Sequence, residues 1–342
     1  MANKLTVNIV SESDVTVQGH GVHTAYDEMA SALEKRDDIT VIRGEFGKQI
    51  DCDIVHMHTI GNRTWRKLFQ RGPKKVVTAH IVPASLIGSI ILAKYWAPFA
   101  RIYMRWYYNR ADKVLAVSGM VARTLHDELH VPEDKIATFY NTVNMASYAP
   151  HDSSRKEARE KLDIAKDAFI VLGNGQVQPR KRLDVFVEMA KALPDVTFIW
   201  IGGIPFKQLG ADSAEMNHLI TNTPANMKIT GVIPHDDVYS YLHAADVFCL
   251  PAEQENHPMC VLEAAGARLP IVLRDLPEYD DTFKDDTVRC QDNEEFIRMI
   301  QRLKDDHLFY NSQKKSSEKI AERFDNTAAA GKYVELYRSL LV

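Results

Sequence analysis

Apolar positions along the chain fall into two alternating rhythms. Short β-branched runs predict strands at 4–10, 39–42, 53–57, 75–79, 113–117 and 136–140, and again at 168–173, 196–202, 227–230, 246–250 and 270–273. Longer segments of helical period separate them. After the first run, Val22, Tyr26, Met29, Ala30 and Leu33 make one apolar stripe that would lie on a sheet. Short apolar runs alternating with segments of helical period predict parallel sheets covered by helices on both faces, an α/β architecture. The last segment, 326–342, is also helical in period, with Tyr333, Leu336, Tyr337, Leu340 and Leu341 on one side, and is expected to pack back on the first domain.

The 342 residues amount to roughly two domains at about 150 residues each. The polar, proline-containing stretch 148–155 is the best linker, so the expected division is 1–148 and 149–325. The opening run Leu5 to Val10 lacks a basic flank and ends at the polar residues 11–14, which predicts a buried strand rather than a signal segment. Cys52, Cys249, Cys260 and Cys290 lie far apart with no ligand spacing, a pattern of reduced thiols in a cytoplasm; neither disulfides nor a structural zinc are expected.

Charge adds an asymmetry to this plan. The net charge is −4, yet the stretch from Ile54 to Ala111 holds ten basic side chains and no acidic one. One face of the first domain is therefore expected to meet something anionic. Within 84–110, aliphatic and aromatic residues surround Lys94, Trp96, Arg101, Arg105 and Trp106. Lys94 and Pro98 interrupt a run too short to span a bilayer. Two readings stay open: a segment lying in an anionic membrane interface, and a pair of core helices whose cations reach out to solvent. A nucleic-acid surface is not expected, because no such binding fold is recognised.

Four places carry candidate chemistry. Gly19 and Gly21 sit between the first strand and its helix, where backbone N–H groups can approach a phosphate or simply make a tight turn. A strand ending in Gly173 and Gly175 is followed by Arg180, Lys181 and Arg182, cations placed to hold a pyrophosphate or to be a solvated cluster. Glu255 and Glu263 stand eight positions apart, one in a loop and one in a helix, as acceptors for sugar or ribose hydroxyls; apolar neighbours make Glu263 an awkward site for a free charge. His80 ends a strand at the edge where α/β folds place catalytic groups, although a core histidine is the plain alternative. His56 and His58 alternate on a strand, so at most one of them is expected to face a cleft, and metal ligation by the pair is not expected.

Taken in order along nearly the whole chain, these residues resemble the family 4 retaining glycosyltransferases. The markers are the glycine loop 19–21, the segment 53–58, Thr78 to His80, 111–118, 141–144, the basic segment through Lys181, and the paired glutamates Glu255 and Glu263. The resemblance implies the GT-B fold, two doubly wound Rossmann-like domains facing each other across a cleft that takes a nucleotide-sugar. It implies that Arg180 and Lys181 hold the pyrophosphate, Glu255 touches the donor sugar and Glu263 the ribose. Gly19 and Gly21 would approach the phosphate, and His80 would stand near the reacting centre. It implies no cofactor and no metal. Gln176 stands where many members have arginine, leaving more of the phosphate charge to Arg180 and Lys181.

Residues 53–65, 175–183 and 271–279 are similar to bacterial glycosyltransferases that build diacylglycerol glycolipids. The expectation is a cytoplasmic hexosyltransferase, peripheral on the inner face of the membrane, using UDP-glucose or UDP-galactose and a lipid or glycolipid acceptor. Alternatives are transfer to a soluble or polysaccharide acceptor, a nucleotide-sugar epimerase, and a non-catalytic nucleotide-sugar-binding protein.

Overall fold

A computed structural model describes residues 4–13, 21–47, 50–86, 93–204 and 213–342, without the side chains of 93–96 and 213. The described residues divide into two compact units. The first takes in the chain up to Leu86, Lys94–Asn144 and Phe324–Val342, and the second takes in Met145–Arg323. The passage from one to the other thus lies at Asn144/Met145, not at 148/149. The short helix Met145–Tyr148 belongs with the second unit because Tyr148 is buried there against Gly266, where an added Cβ would come within 2.7 Å of the tyrosine.

The first unit is built on six parallel strands: β1 (Leu5–Val10), β2 (Ile39–Arg43), β3 (Ile54–Met57), β4 (Lys74–Ala79), β5 (Lys113–Ala116) and β6 (Ile136–Thr138). Their order is β2-β1-β3-β4-β5-β6. Successive side chains point to opposite faces, and both faces are apolar. Ile54, Val76 and Leu115 lie under the helices Gly21–Glu34 and Asn326–Ser339, while Val55, Val77 and Val114 lie under Ala93–Asn109 and Gly119–Asp127.

The last helix packs on the helix Gly21–Glu34 with Tyr333 and Tyr337 buried; Leu341, expected on the same apolar side, is 45% exposed because the helix has ended at Ser339. Val143 and Asp325 form a parallel bridge, and Glu28 accepts hydrogen bonds from the Asn144 backbone at 2.8 Å and from the Asn326 side chain at 2.9 Å.

The second unit repeats the plan with β7 (Ile170–Asn174), β8 (Thr197–Ile201), β9 (Met227–Ile229), β10 (Val247–Leu250), β11 (Ile271–Arg274) and β12 (Val288–Cys290). Their order is β12-β11-β10-β7-β8-β9. Each sheet has one place where neighbouring strands send the chain in opposite directions: between β1 and β3, and between β7 and β10. Beyond the carboxyl ends of such strands, doubly wound sheets leave a crevice for ligands.

Candidate active site

In the second unit, that crevice is lined by the loops after β7 and β10. Gly175 begins the first loop, and its carbonyl accepts the Trp200 indole N–H at 2.9 Å. The same carbonyl would lie 2.0 Å from a Cβ at Gly202, whose φ of +130° already favours glycine. The loop then makes one 3-10 turn, Pro179–Lys181, and Arg182 takes a left-handed conformation before the helix Leu183–Ala192. That turn aims Arg180 and Lys181 at the second loop, where the Glu253 N–H donates to the Arg180 carbonyl at 2.9 Å.

The two cations converge on one carboxylate. Lys181 Nζ donates to Glu255 Oε1, and Arg180 Nη1 donates to the same oxygen at 3.2 Å and to the Gln254 carbonyl at 3.0 Å. Glu255 and Lys181 are both buried. Burial alone would raise the Glu255 pKa, but the nearby charges of Lys181 and Arg180 overcome it and hold the carboxyl below its ordinary range. Two cations against one carboxylate leave a positive excess at the strand ends, suited to a diphosphate.

Glu263 sits one turn into the helix Met259–Gly266 and is 3% exposed. His235 Nε2 lies 3.3 Å from its Oε1, and the Tyr148 hydroxyl lies 3.4 Å from the same nitrogen. Between the two glutamates, burial raises the Cys260 thiol pKa to about 12, so this cysteine is a packing group at neutral pH. His257 is also buried, stacked on Phe283 at 5.1 Å.

In the first unit, His80 is half-buried just past β4, and its Nε2 lies 3.1 Å from His58 Nδ1. The expectation for His56 and His58 is corrected here. Positions two apart on a strand share a face, so both rings lie on the same side, 4.7 Å apart. His56 bonds the Tyr337 hydroxyl and the Thr78 hydroxyl, each at 2.7 Å. Burial, with His80 nearby, lowers the His56 pKa to about 3 and pushes His58 well below its usual value. Gly21 is the exposed first residue of its helix; Gly19 lies outside the described residues.

The segment 84–110 divides by face. Tyr107 and Tyr108 are core residues whose hydroxyls bond the carbonyls of Thr59 and Ile81, as the core-helix reading expects of one face. On the outer face, Phe99 and Ile102 are 73% and 67% exposed. Trp65 and Phe69 contact the half-buried Trp106, and the Arg110 guanidinium lies 4.9 Å from the Trp106 ring. Arg105 is exposed, Arg101 pairs with Glu128 at 2.9 Å, and the side chains of Lys94 and Trp96 lie outside the described residues. Among the described residues, no helix is long and apolar enough to cross a membrane.

Residues 154–323 match the family "Glycosyl transferases group 1", and residues 39–147 match "Glycosyltransferase Family 4". An alpha-galactosylglucosyldiacylglycerol synthase of Streptococcus pneumoniae is 32% identical over 81% of this chain and 74% of its own. The chain belongs to glycosyltransferase family 4.

This glycosyltransferase is also 26% identical to a processive diacylglycerol alpha-glucosyltransferase of Acholeplasma laidlawii, over 73% of this chain and 75% of the other. Its fold matches a sucrose-phosphate synthase of Thermosynechococcus elongatus with a TM-score of 0.81, at 16% identity over 98% of this chain and 99% of the other. It matches Anabaena HepE, solved with UDP-glucose, with a TM-score of 0.79, at 16% identity over 98% and 100%. The fold is therefore GT-B, two Rossmann-like domains. Sequence reasoning missed the contacts that His58 and His235 make. His58 ends one marker segment and His80 another, and His235 belongs to none; only the order of strands and helices brings each to its partner.

Proposed function

We propose that this enzyme transfers a hexose from a UDP-sugar, glucose or galactose, to a hydroxyl of a diacylglycerol or its glycolipid, with retention of the donor's α configuration. The observation that carries the donor side is the convergence of Arg180 and Lys181 on buried Glu255 at the ends of β7 and β10. In this reading the diphosphate takes the two cations, which then neutralise the leaving group without a divalent metal. Freed Glu255 accepts donor-sugar hydroxyls, buried Glu263 accepts the ribose hydroxyls, and His80 orients the reacting groups. The names of the Streptococcus and Acholeplasma relatives support the lipid acceptor.

The acceptor would be met at an anionic bilayer through the outer face of Ala93–Asn109. Phe99, Ile102 and Trp106 enter the headgroup region while Arg105 and neighbouring cations meet lipid phosphate. The test is to incubate the protein with UDP-glucose, UDP-galactose and GDP-mannose, in the presence of chelator, on anionic vesicles holding diacylglycerol or its monohexoside. A product one hexose heavier with an α-anomeric proton signal is expected. Transfer to soluble saccharides alone would overturn the acceptor assignment, and loss of activity in chelator would overturn the metal-free one. Co-sedimentation with anionic vesicles should be lost when Arg101 and Arg105 are both changed to Glu; binding that survives this change would put the membrane face elsewhere.

A further inference from the structure

Glu263 presents a physical problem that its own helix does not solve. An ionised carboxylate offers about four acceptor positions and is expensive to bury without donors. Among the described residues, its only side-chain hydrogen-bond partner is His235, the first residue of the helix His235–Ala244, whose Nε2 lies 3.3 Å from Glu263 Oε1. The same nitrogen lies 3.4 Å from the Tyr148 hydroxyl. One ring nitrogen carries either a proton or a lone pair. Facing a carboxylate, it must carry the proton, and the Tyr148 oxygen then completes a forked acceptor pair.

We infer that His235 is a positioning residue for the donor site: its Nε2–H fixes Glu263 Oε1 and so leaves Oε2 aimed at the nucleotide ribose. This rests on the proposed reading of Glu263 as the ribose acceptor and adds what sets that carboxylate's orientation. The supporting frame is rigid. Tyr148 is fully buried, its ring lies 4.8 Å from Tyr239 on the His235 helix, and its carbonyl is bonded by His243 at 3.0 Å from the same helix. Tyr148 also lies against Gly266 at the end of the Glu263 helix, closely enough that an added Cβ would clash. Both helices are therefore held in register by one tyrosine, and His235 bridges them.

The test compares UDP with 2′-deoxy-UDP by calorimetry, together with donor kinetics, for wild type, His235→Ala and His235→Gln. The imidazole is 38% exposed, so both variants are expected to fold, with His235→Ala lowering the thermal midpoint more than His235→Gln. His235→Ala should raise the donor KM about fivefold with kcat and acceptor KM held, and should erase most of the preference for UDP over 2′-deoxy-UDP. His235→Gln, whose amide N–H reaches the Nε2 position, should restore both. An alanine variant that keeps the wild-type ribose preference overturns the inference. So does a glutamine variant that behaves like alanine while folded. Failure of wild type to bind UDP at all would instead overturn the donor-site reading.

Discussion

The two units share an architecture but differ in the polar groups buried beside their central strands. Under the first sheet's carboxyl edge lie uncharged groups, His56 and His58, satisfied by hydroxyls and by another ring. The second sheet is flanked by charges at both edges: at the amino ends of β7 and β10, Asp246 accepts from Arg155 at 2.5 Å, Arg159 at 2.9 Å and the Ile170 N–H at 2.8 Å, and beyond their carboxyl ends Glu255 is held by Arg180 and Lys181. A buried neutral imidazole begins to cost stability as pH falls through the ordinary histidine range, because the unfolded chain takes up the proton there, whereas a carboxylate clamped by cations stays ionised far below it. Mild acid is thus expected to cost the first unit stability before the second, whose Glu255 stays charged between Arg180 and Lys181.

Four measurements can break or sharpen this contrast. The largest effect should come from Asp246→Ala, which strands the buried Arg159 guanidinium; about 3–5 kcal/mol of second-unit stability should vanish in denaturant melts. A loss under about 1 kcal/mol would show that the charges there are not what holds the sheet. Next, His80→Ala should lower kcat about 10²-fold while UDP affinity stays, because His80 sits at the half-buried rim and not in the core. Unfolding with normal specific activity in the remaining protein would make it a core histidine like its neighbours. Lys181→Ala should then weaken UDP binding by about 1–3 kcal/mol, read by calorimetry.

The last effect is a slope, the smallest per step of pH. His56 folds with a pKa of about 3 against about 6.5 unfolded, so the unfolded chain binds the extra proton. Its stabilising contribution is complete above pH about 6.5 and declines by about 1.4 kcal/mol per pH unit below it, until the folded pKa is reached. Amide exchange at β3 and β4, corrected for intrinsic rate, should therefore rise on mild acidification before exchange at β7 and β10 does. His56→Asn should flatten that dependence; an unchanged slope would assign the acid sensitivity to His58 or elsewhere.

Much of this was legible along the chain because strand signals are local. Leu5–Val10 and Ile170–Asn174 are largely apolar runs with residues of both faces buried, which the local pattern shows without reference to distant residues. Val288–Cys290 escaped because it is three residues long, contains Arg289 and follows two aspartates, leaving no apolar run to read. The glutamate pair was visible through its eight-residue spacing. Its partners were not, since Lys181 lies 74 positions from Glu255 and His235 lies 28 from Glu263, separations that only the order of strands closes. His56 and His58 were misread for a simpler reason: an interval of two returns a strand to the same face.

The bridge between Val143 and Asp325, with Glu28 bonded to both Asn144 and Asn326, puts the point where the chain leaves the first unit beside the point where it returns. In genetic terms the second unit is an insert spliced into one tight turn of an otherwise continuous fold. Joining residue 144 to residue 324 through a few glycines and serines would therefore restore an unbroken first domain, last helix included, as a separately expressible module. The same geometry marks this junction as a place where recombination could exchange one second unit for another without disturbing the first unit's hydrophobic core.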